Sequence, residues 1–208
     1  MSDRPILFSA PMIRALLDGR KTQTRRILKP QPSQPIDSIC HEGRRWWTAD
    51  SLSGAVHENL HVPYAVGDRL WVRERVYGDQ MENFLTGDRT TTATVGYYYA
   101  DDAEVLDPHR FNLGWTWSKR SLPSIHMPRG FSRLTLIVER VRIERLHEIS
   151  AADVTAEGVD GGQQHFQRLW DSINAPGAWA ANPWVAAISF RVVHANIGAL
   201  PAESGAHR

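Results

Sequence analysis

Gly19-Arg20-Lys21-Thr22-Gln23-Thr24-Arg25-Arg26 places four cations and two threonine hydroxyls in eight residues. Its neighbours set its structural context. Ser9 suits a helix N-cap and Pro11 the first turn. Met12, Ile13, Leu16 and Leu17 then fall on one helical face. Gly19 stands where such a helix ends in a left-handed residue. The stretch is therefore the turn from a helix into a strand over residues 22–28. Strand alternation sets Thr22, Thr24 and Arg26 on one face, with Lys21 at the edge.

Outward from this turn, residues 5–8 read as a short strand. Residues 31–62 read as a loop insertion, with Pro32 and Pro35, weak periodicity and Arg44-Arg45-Trp46-Trp47 as its one cohesive patch. Along residues 69–77, Leu70, Val72 and Val76 alternate with Trp71, Arg73, Arg75 and Tyr77. Glu74 interrupts the apolar face, and a carboxylate there needs a partner or a job. Residues 79–120 read as a second insertion, holding a Tyr97-Tyr98-Tyr99 strand and the irregularly placed Trp115 and Trp117. Residues 132–146 give the longest strand, with a phase slip at Glu139-Arg140 that suggests a bulge or bend. Ser150 and Asp153 have capping-box spacing for a short helix ending at Glu157-Gly158. Phe166, Leu169, Trp170 and Ile173 mark an amphipathic helix, and residues 184–193 a last strand. Residues 194–208 read as a disordered polar tail. This order predicts an α+β domain built on a small antiparallel barrel.

Composition narrows the function classes. The 208 residues are 42% hydrophobic, enough for a core, and 24 Lys and Arg balance 23 Asp and Glu. Bulk charge therefore selects no partner, although the first 30 residues are locally basic. A single cysteine, Cys40, excludes an internal disulfide and suits a reducing compartment. No run approaches the ~20 apolar residues of a membrane helix, and the first residues do not read as a signal peptide. A soluble, cytoplasmic protein without a membrane partner is expected.

Nine histidines are scattered, and the His57/His61 pair lies in a proline-bounded segment, so neither a metal nor a cofactor is expected. Phosphate loops, dinucleotide fingerprints and nucleophile elbows are absent. The Lys21/Thr24 pair remains. A threonine hydroxyl attacks only once a base takes its proton, and a lysine serves as base only if burial or nearby cations lower its pKa. Spacing alone favours the other reading, in which Lys21 and the arginines Arg20, Arg25 and Arg26 form an exposed basic turn that balances the helix dipole, with Arg20 and Arg25 as surface cations. Glu74 and Glu157 are the carboxylates that could approach the pair. Glu74 reads either as a site residue or as half of a buried salt bridge to an arginine. Glu157 reads as a site residue or a solvated helix-end acid. Trp46, Trp47, Trp115, Trp117 and Trp179 either stack nucleic-acid bases beside arginines or pin loops.

Gly19-x-Lys21-x-x-x-x-Arg26 resembles the G-x-K-x-x-x-x-R signature of ASCH domains in the PUA-like superfamily. The segments LFSAPMIRALLDGRKTQTRR, GDRLWVRE, PSIHMPR, LWDSIN and NPWV are similar to the larger ASCH-like proteins of phages and prophages. The resemblance spans most of residues 5–193, apart from the two insertions. It implies a single domain over residues 1–193 with a barrel of five or six mostly antiparallel strands flanked by helices. It also implies an amidohydrolase that removes N4-acyl groups, acetyl above all, from cytidine or cytosine nucleosides. Lys21 and Thr24 match the family's catalytic lysine and threonine, and Glu157 is the counterpart of its glutamate. Arg26, Thr22 and Glu74 are the substrate-binding candidates. The alternative implied by the superfamily is a non-catalytic module binding RNA, a single strand or another modified nucleic acid, or a ribonuclease.

Overall fold

The computed structural model describes residues 2–82, 92–101, 103 and 121–201. The strands are β1 (Asp3–Leu7), β2 (Gln23–Ile27), β3 (Ser38–Glu42), β4 (Arg45–Ala49), β5 (Val56–Leu60), β6 (Arg69–Arg73), β7 (Val76–Glu82), β8 (Thr92–Tyr98), β9 (Ser121–Leu122), β10 (Thr135–Arg145) and β11 (Trp184–Val193). The α-helices are α1 (Ala10–Leu17), α2 (Ala151–Ala156) and α3 (Gly162–Asn174). The class is α+β with antiparallel sheets. Five strands follow the order β1-β6-β10-β11-β2, three the order β3-β4-β5 and three the order β8-β7-β9. Among the described residues these are open sheets, and no barrel closes.

The chain divides into two compact units. The first is built from residues 1–2, 18–69 and 137–192, the second from 3–17, 70–136 and 193–208.

In the first unit, β2 lies antiparallel to β11, with Thr24 opposite Ile188 and Arg26 opposite Ala186. Gly19 takes the left-handed conformation, φ 71°, that the end of α1 calls for. α2 begins with the full capping box: Ser150 accepts from the Asp153 amide, and Asp153 accepts from that of Ser150. Leu146, Ile149, Val154, Phe166, Trp170 and Val185 form the core that α2 and α3 cover. Glu139 and Arg140 are both exposed between buried Val138 and Val141. The phase slip is thus present in burial, within one continuous strand.

The first insertion is not a loop. Residues 38–60 form the antiparallel meander β3-β4-β5, in which Cys40 opposes Trp47 and Trp46 opposes Leu60. Only Trp46, Thr48, Ala49 and Leu60 of this meander are buried, so no long apolar alternation announced it. Arg44 grips the wholly buried Asp68 with two nitrogens, at 2.6 and 2.8 Å, and Asp68 also accepts from the Ala65 amide at 3.1 Å. The Gly67-Asp68 turn is thereby tied to the meander.

In the second unit, Val76, Tyr98, Leu122, Met127 and Phe131 make the core, and β7 pairs with β8 on one side and β9 on the other. Residues 79–82 and 92–98 of the second expected insertion belong to that ladder, whereas Trp115 and Trp117 lie outside the described residues. Residues 194–201 are not a loose tail. Ile197 is buried, the Thr135 hydroxyl donates to Ala195 O, and the Asn196 amide donates to Arg129, Gly130 and Ser132 carbonyls. These bonds repay the ordering entropy that sequence polarity alone suggested would go unpaid.

Candidate active site

Lys21 and Glu157 are 136 residues apart in sequence and meet at 2.8 Å, Nζ to Oε2. Backbone pairing brings them together. Lys21 and Glu157 form an isolated antiparallel bridge, with the Thr22 amide donating to Ala156 O at 2.8 Å. Thr22 O in turn accepts from the Phe190 amide, which anchors the start of β2 on β11. Glu157 is the C-cap of α2 and is 4% exposed, so it is not a solvated helix-end acid. The ammonium of Lys21 is fully buried and uses all three donors, on Gln23 O at 2.9 Å, Glu157 O at 2.9 Å and Glu157 Oε2.

The reading of Arg25 as a surface cation is corrected. Its side chain has no exposed surface and reaches Glu144 at 2.6 Å, Asp153 at 3.2 Å and Glu157 at 3.2 Å. It also donates to Gln23 Oε1 at 2.6 Å. Arg142 completes the cluster on Asp153 and Glu144. Lys21, Arg25 and Arg142 are thus set against Glu144, Asp153 and Glu157, a balance that makes burial of so much charge tolerable. Alternation had pointed to Thr22, Thr24 and Arg26 as the working face of β2. The opposite face, with Gln23 and Arg25, carries this network, and Glu144 and Asp153 are members that sequence reasoning missed. The available signal was Arg142 and Glu144 standing two apart on the polar face of β10.

Burial pushes the Lys21 ammonium below its ordinary pKa, Glu157 opposes that shift, and Arg26 and Arg25 reinforce it. Asp153 goes the other way. Burial pushes it up, yet hydrogen bonds from Arg142, Gln23 and Ser150 hold it well below the usual carboxylate range. Arg20 takes no part in the network and stays at the surface with Asp18 and Asp160.

Thr24 is 1% exposed and follows the Gln23 carbonyl that Lys21 Nζ contacts, so the ammonium sits one peptide unit from it. Its side chain shares the β2 face with half-buried Arg26, about 7 Å farther along at the usual strand rise. On the Arg26 side a groove of about 470 Å³ opens, lined by Arg26, Lys29, His61, Pro63, Tyr64 and Asn174. Thr22, proposed for the same face, is exposed.

Glu74 belongs to the second unit and is held there. Arg133 binds both of its oxygens at 2.9 Å and binds Asp101 as well. Of its two readings, the buried salt bridge is the one present. Burial still pushes its carboxyl up, with Arg133 opposing. Trp46 and Trp170 are buried with indole N–H groups that have no hydrogen-bond partner, which places them in cores. Trp179 packs against His147 with ring centroids 4.6 Å apart and planes tilted by 32°, and Arg45 stands over Trp47 at 6.0 Å. Among the described residues no cluster of His, Cys, Asp and Glu is arranged to hold a metal, and no helix is long and apolar enough to cross a membrane.

Comparison of the chain with protein-family models, with curated proteins and with solved structures finds no match.

Proposed function

We propose that this chain is an ASCH-type, PUA-like protein that hydrolyses the N4-acyl group of a cytosine nucleoside, with Lys21, Thr24 and Glu157 as its catalytic set. The observation that carries this reading is the buried 2.8 Å Lys21–Glu157 contact, one peptide unit from Thr24. Burial, which lowers the pKa of Lys21, favours the neutral amine that a base requires. Thr24 Oγ1 then adds to the acyl carbon, and its proton passes by way of one water to Lys21 Nζ across the Gln23–Thr24 peptide. The C–N bond breaks as Lys21 returns a proton to the departing N4 amine. Water hydrolyses the acyl-threonine ester, releasing the carboxylic acid and restoring Thr24. Arg26, on the same strand face, faces the oxygen that becomes anionic.

The test is to incubate the protein with N4-acetylcytidine and follow cytidine. Turnover that persists in Thr24→Ser and falls about 100-fold or more in Thr24→Val is the expected result. No turnover by the wild type, or undiminished turnover by Lys21→Ala, ends this reading.

A second reading has its own observation. Lys21, Thr24 and Glu157 are 0%, 1% and 4% exposed, so the trio also serves as a sealed clasp beside a binding groove. In that case the protein binds a modified nucleoside or RNA without cleaving it. Affinity that falls with salt, in the absence of turnover, distinguishes it.

A further inference from the structure

Glu157 is held from two sides. Lys21 Nζ meets one of its carboxylate oxygens at 2.8 Å, and a terminal nitrogen of Arg25 meets the other at 3.2 Å. Arg25 is itself fixed. Each nitrogen of its buried guanidinium has an acceptor: Nε on Glu144 at 3.1 Å, one terminal nitrogen on Gln23 Oε1 at 2.6 Å as well as on Glu157, and the other on Glu144 at 2.6 Å with Asp153 at 3.2 Å. Glu144 is braced in turn by Arg142, which also donates to Asp153. Gln23 is braced by donating to Ser189 Oγ on β11 at 3.2 Å. Residues of β2, β10, β11 and α2 thus all hold the guanidinium or its partners, and it cannot turn away from Glu157.

A planar guanidinium reaches several acceptors at once and stays protonated at any working pH; a lysine offers a single point of charge and can lose it. We infer that Arg25 is a positioning residue for the reaction proposed above, on which this inference rests: it fixes Glu157 by one oxygen, leaves the other to Lys21, and so keeps the amine available as base. Arg25 alternates with Thr24 along β2 and acts through Glu157, not on the acyl group.

The charges around the pair act in the same sense. Burial lowers the Lys21 pKa most, Glu157 at the end of α2 raises it, and Arg26 and Arg25 on β2 lower it. Glu144 and Arg142 on β10 and Asp153 on α2 are further charges beside the pair, and they bear on Arg25 or on its partners. Loss of the Arg25 cation removes a repulsion from Lys21 and frees the second oxygen of Glu157 to face it. Both effects favour the ammonium, so the proton then leaves Lys21 only at higher pH.

Lys21 is one of three lysines in the chain, with Lys29 and Lys119. Under lysine-selective labelling its Cε signal can therefore be followed against pH by NMR in the folded protein, without substrate. In Arg25→Gln the Lys21 midpoint should rise by about one pH unit or more. The pH at which kcat/KM for N4-acetylcytidine is half-maximal should rise with it, because only the neutral amine serves as base. Arg25→Lys keeps the charge and loses the fork, so there the half-maximal pH should hold while kcat falls about ten-fold. A Lys21 midpoint that does not rise in folded Arg25→Gln overturns the inference, and so does undiminished kcat in Arg25→Lys. Should Arg25→Gln fail to fold, Arg25→Gln/Glu144→Gln removes the cation together with a charge that it neutralises; the same rise is expected, and its absence overturns the inference equally. Failure of the wild type to release cytidine ends the proposed reaction, while the Lys21 midpoint still reads the hold of Arg25 on the pair. Turnover with an unmoved midpoint leaves that reaction standing and ends this inference alone.

Discussion

At the scale of single residues, the balance of forces on Lys21 decides most. A wholly buried ammonium is costly unless its charge and all its protons are matched, and here both are. Removing it leaves Glu157 facing Arg25 alone, so Lys21→Met should cost about 3 kcal/mol in urea unfolding. Lys21→Met/Glu157→Met should cost clearly less than the two single changes added together. Strict additivity would mean that the pair contributes nothing as a pair. What was legible at this scale is uneven. Lys21 and Thr24 stood out by motif and spacing, and Glu157 only as the counterpart that the family resemblance implied. Arg25 did not, because a lone arginine in a basic run defaults to the surface, and only tertiary structure supplies Glu144, Asp153 and Glu157 around it. Glu74 was visible as an anomaly, but Arg133 lies 59 residues away, and nothing local to Glu74 names it.

Among the elements, α2 carries two carboxylates of the buried network, Asp153 and its C-cap Glu157. At six residues it is far below the length that is stable alone. It forms because Ser150 and Asp153 cap it and because Asp153 also holds Arg25 and Arg142. With its pKa depressed in the folded state, Asp153 contributes stability above its unfolded pKa. That stability is lost as pH falls through the lower folded value. Wild-type stability should therefore drop more steeply than that of Asp153→Asn between about pH 5 and pH 2, where the unfolded carboxylate protonates first. Parallel pH profiles would reject this reading. The capping box of α2 was readable from spacing, as were α3, β10 and β11. The β3-β4-β5 meander was not, since its buried residues are few and its pairing rather than its pattern defines it.

For the molecule as a whole, each unit has its own core, and each core offers a deletion that reports on it. Leu146→Ala and Met127→Ala both remove fully buried side chains, and each should cost about 3 kcal/mol. By hydrogen exchange, Leu146→Ala should lower protection most in α2 and α3, and Met127→Ala most in β7 and the adjoining end of β8. Uniform loss throughout the chain in both variants would show that the two cores open as one. The α+β class was legible because strands and helices announced themselves by period. The division into two units was not. It depends on which strands pair, and the chain enters each unit more than once.

That repeated entry has a consequence for synthesis. The first unit needs residues from 18–69 and again from 137–192. On a ribosome adding about 5–20 residues per second, Glu157 arrives about 7–27 s after Lys21. Throughout that interval the ammonium is hydrated and β2 has no β11 to pair with. The nascent chain therefore carries this basic segment exposed until α2 has been made, and no fragment that stops short of α2 can bury it.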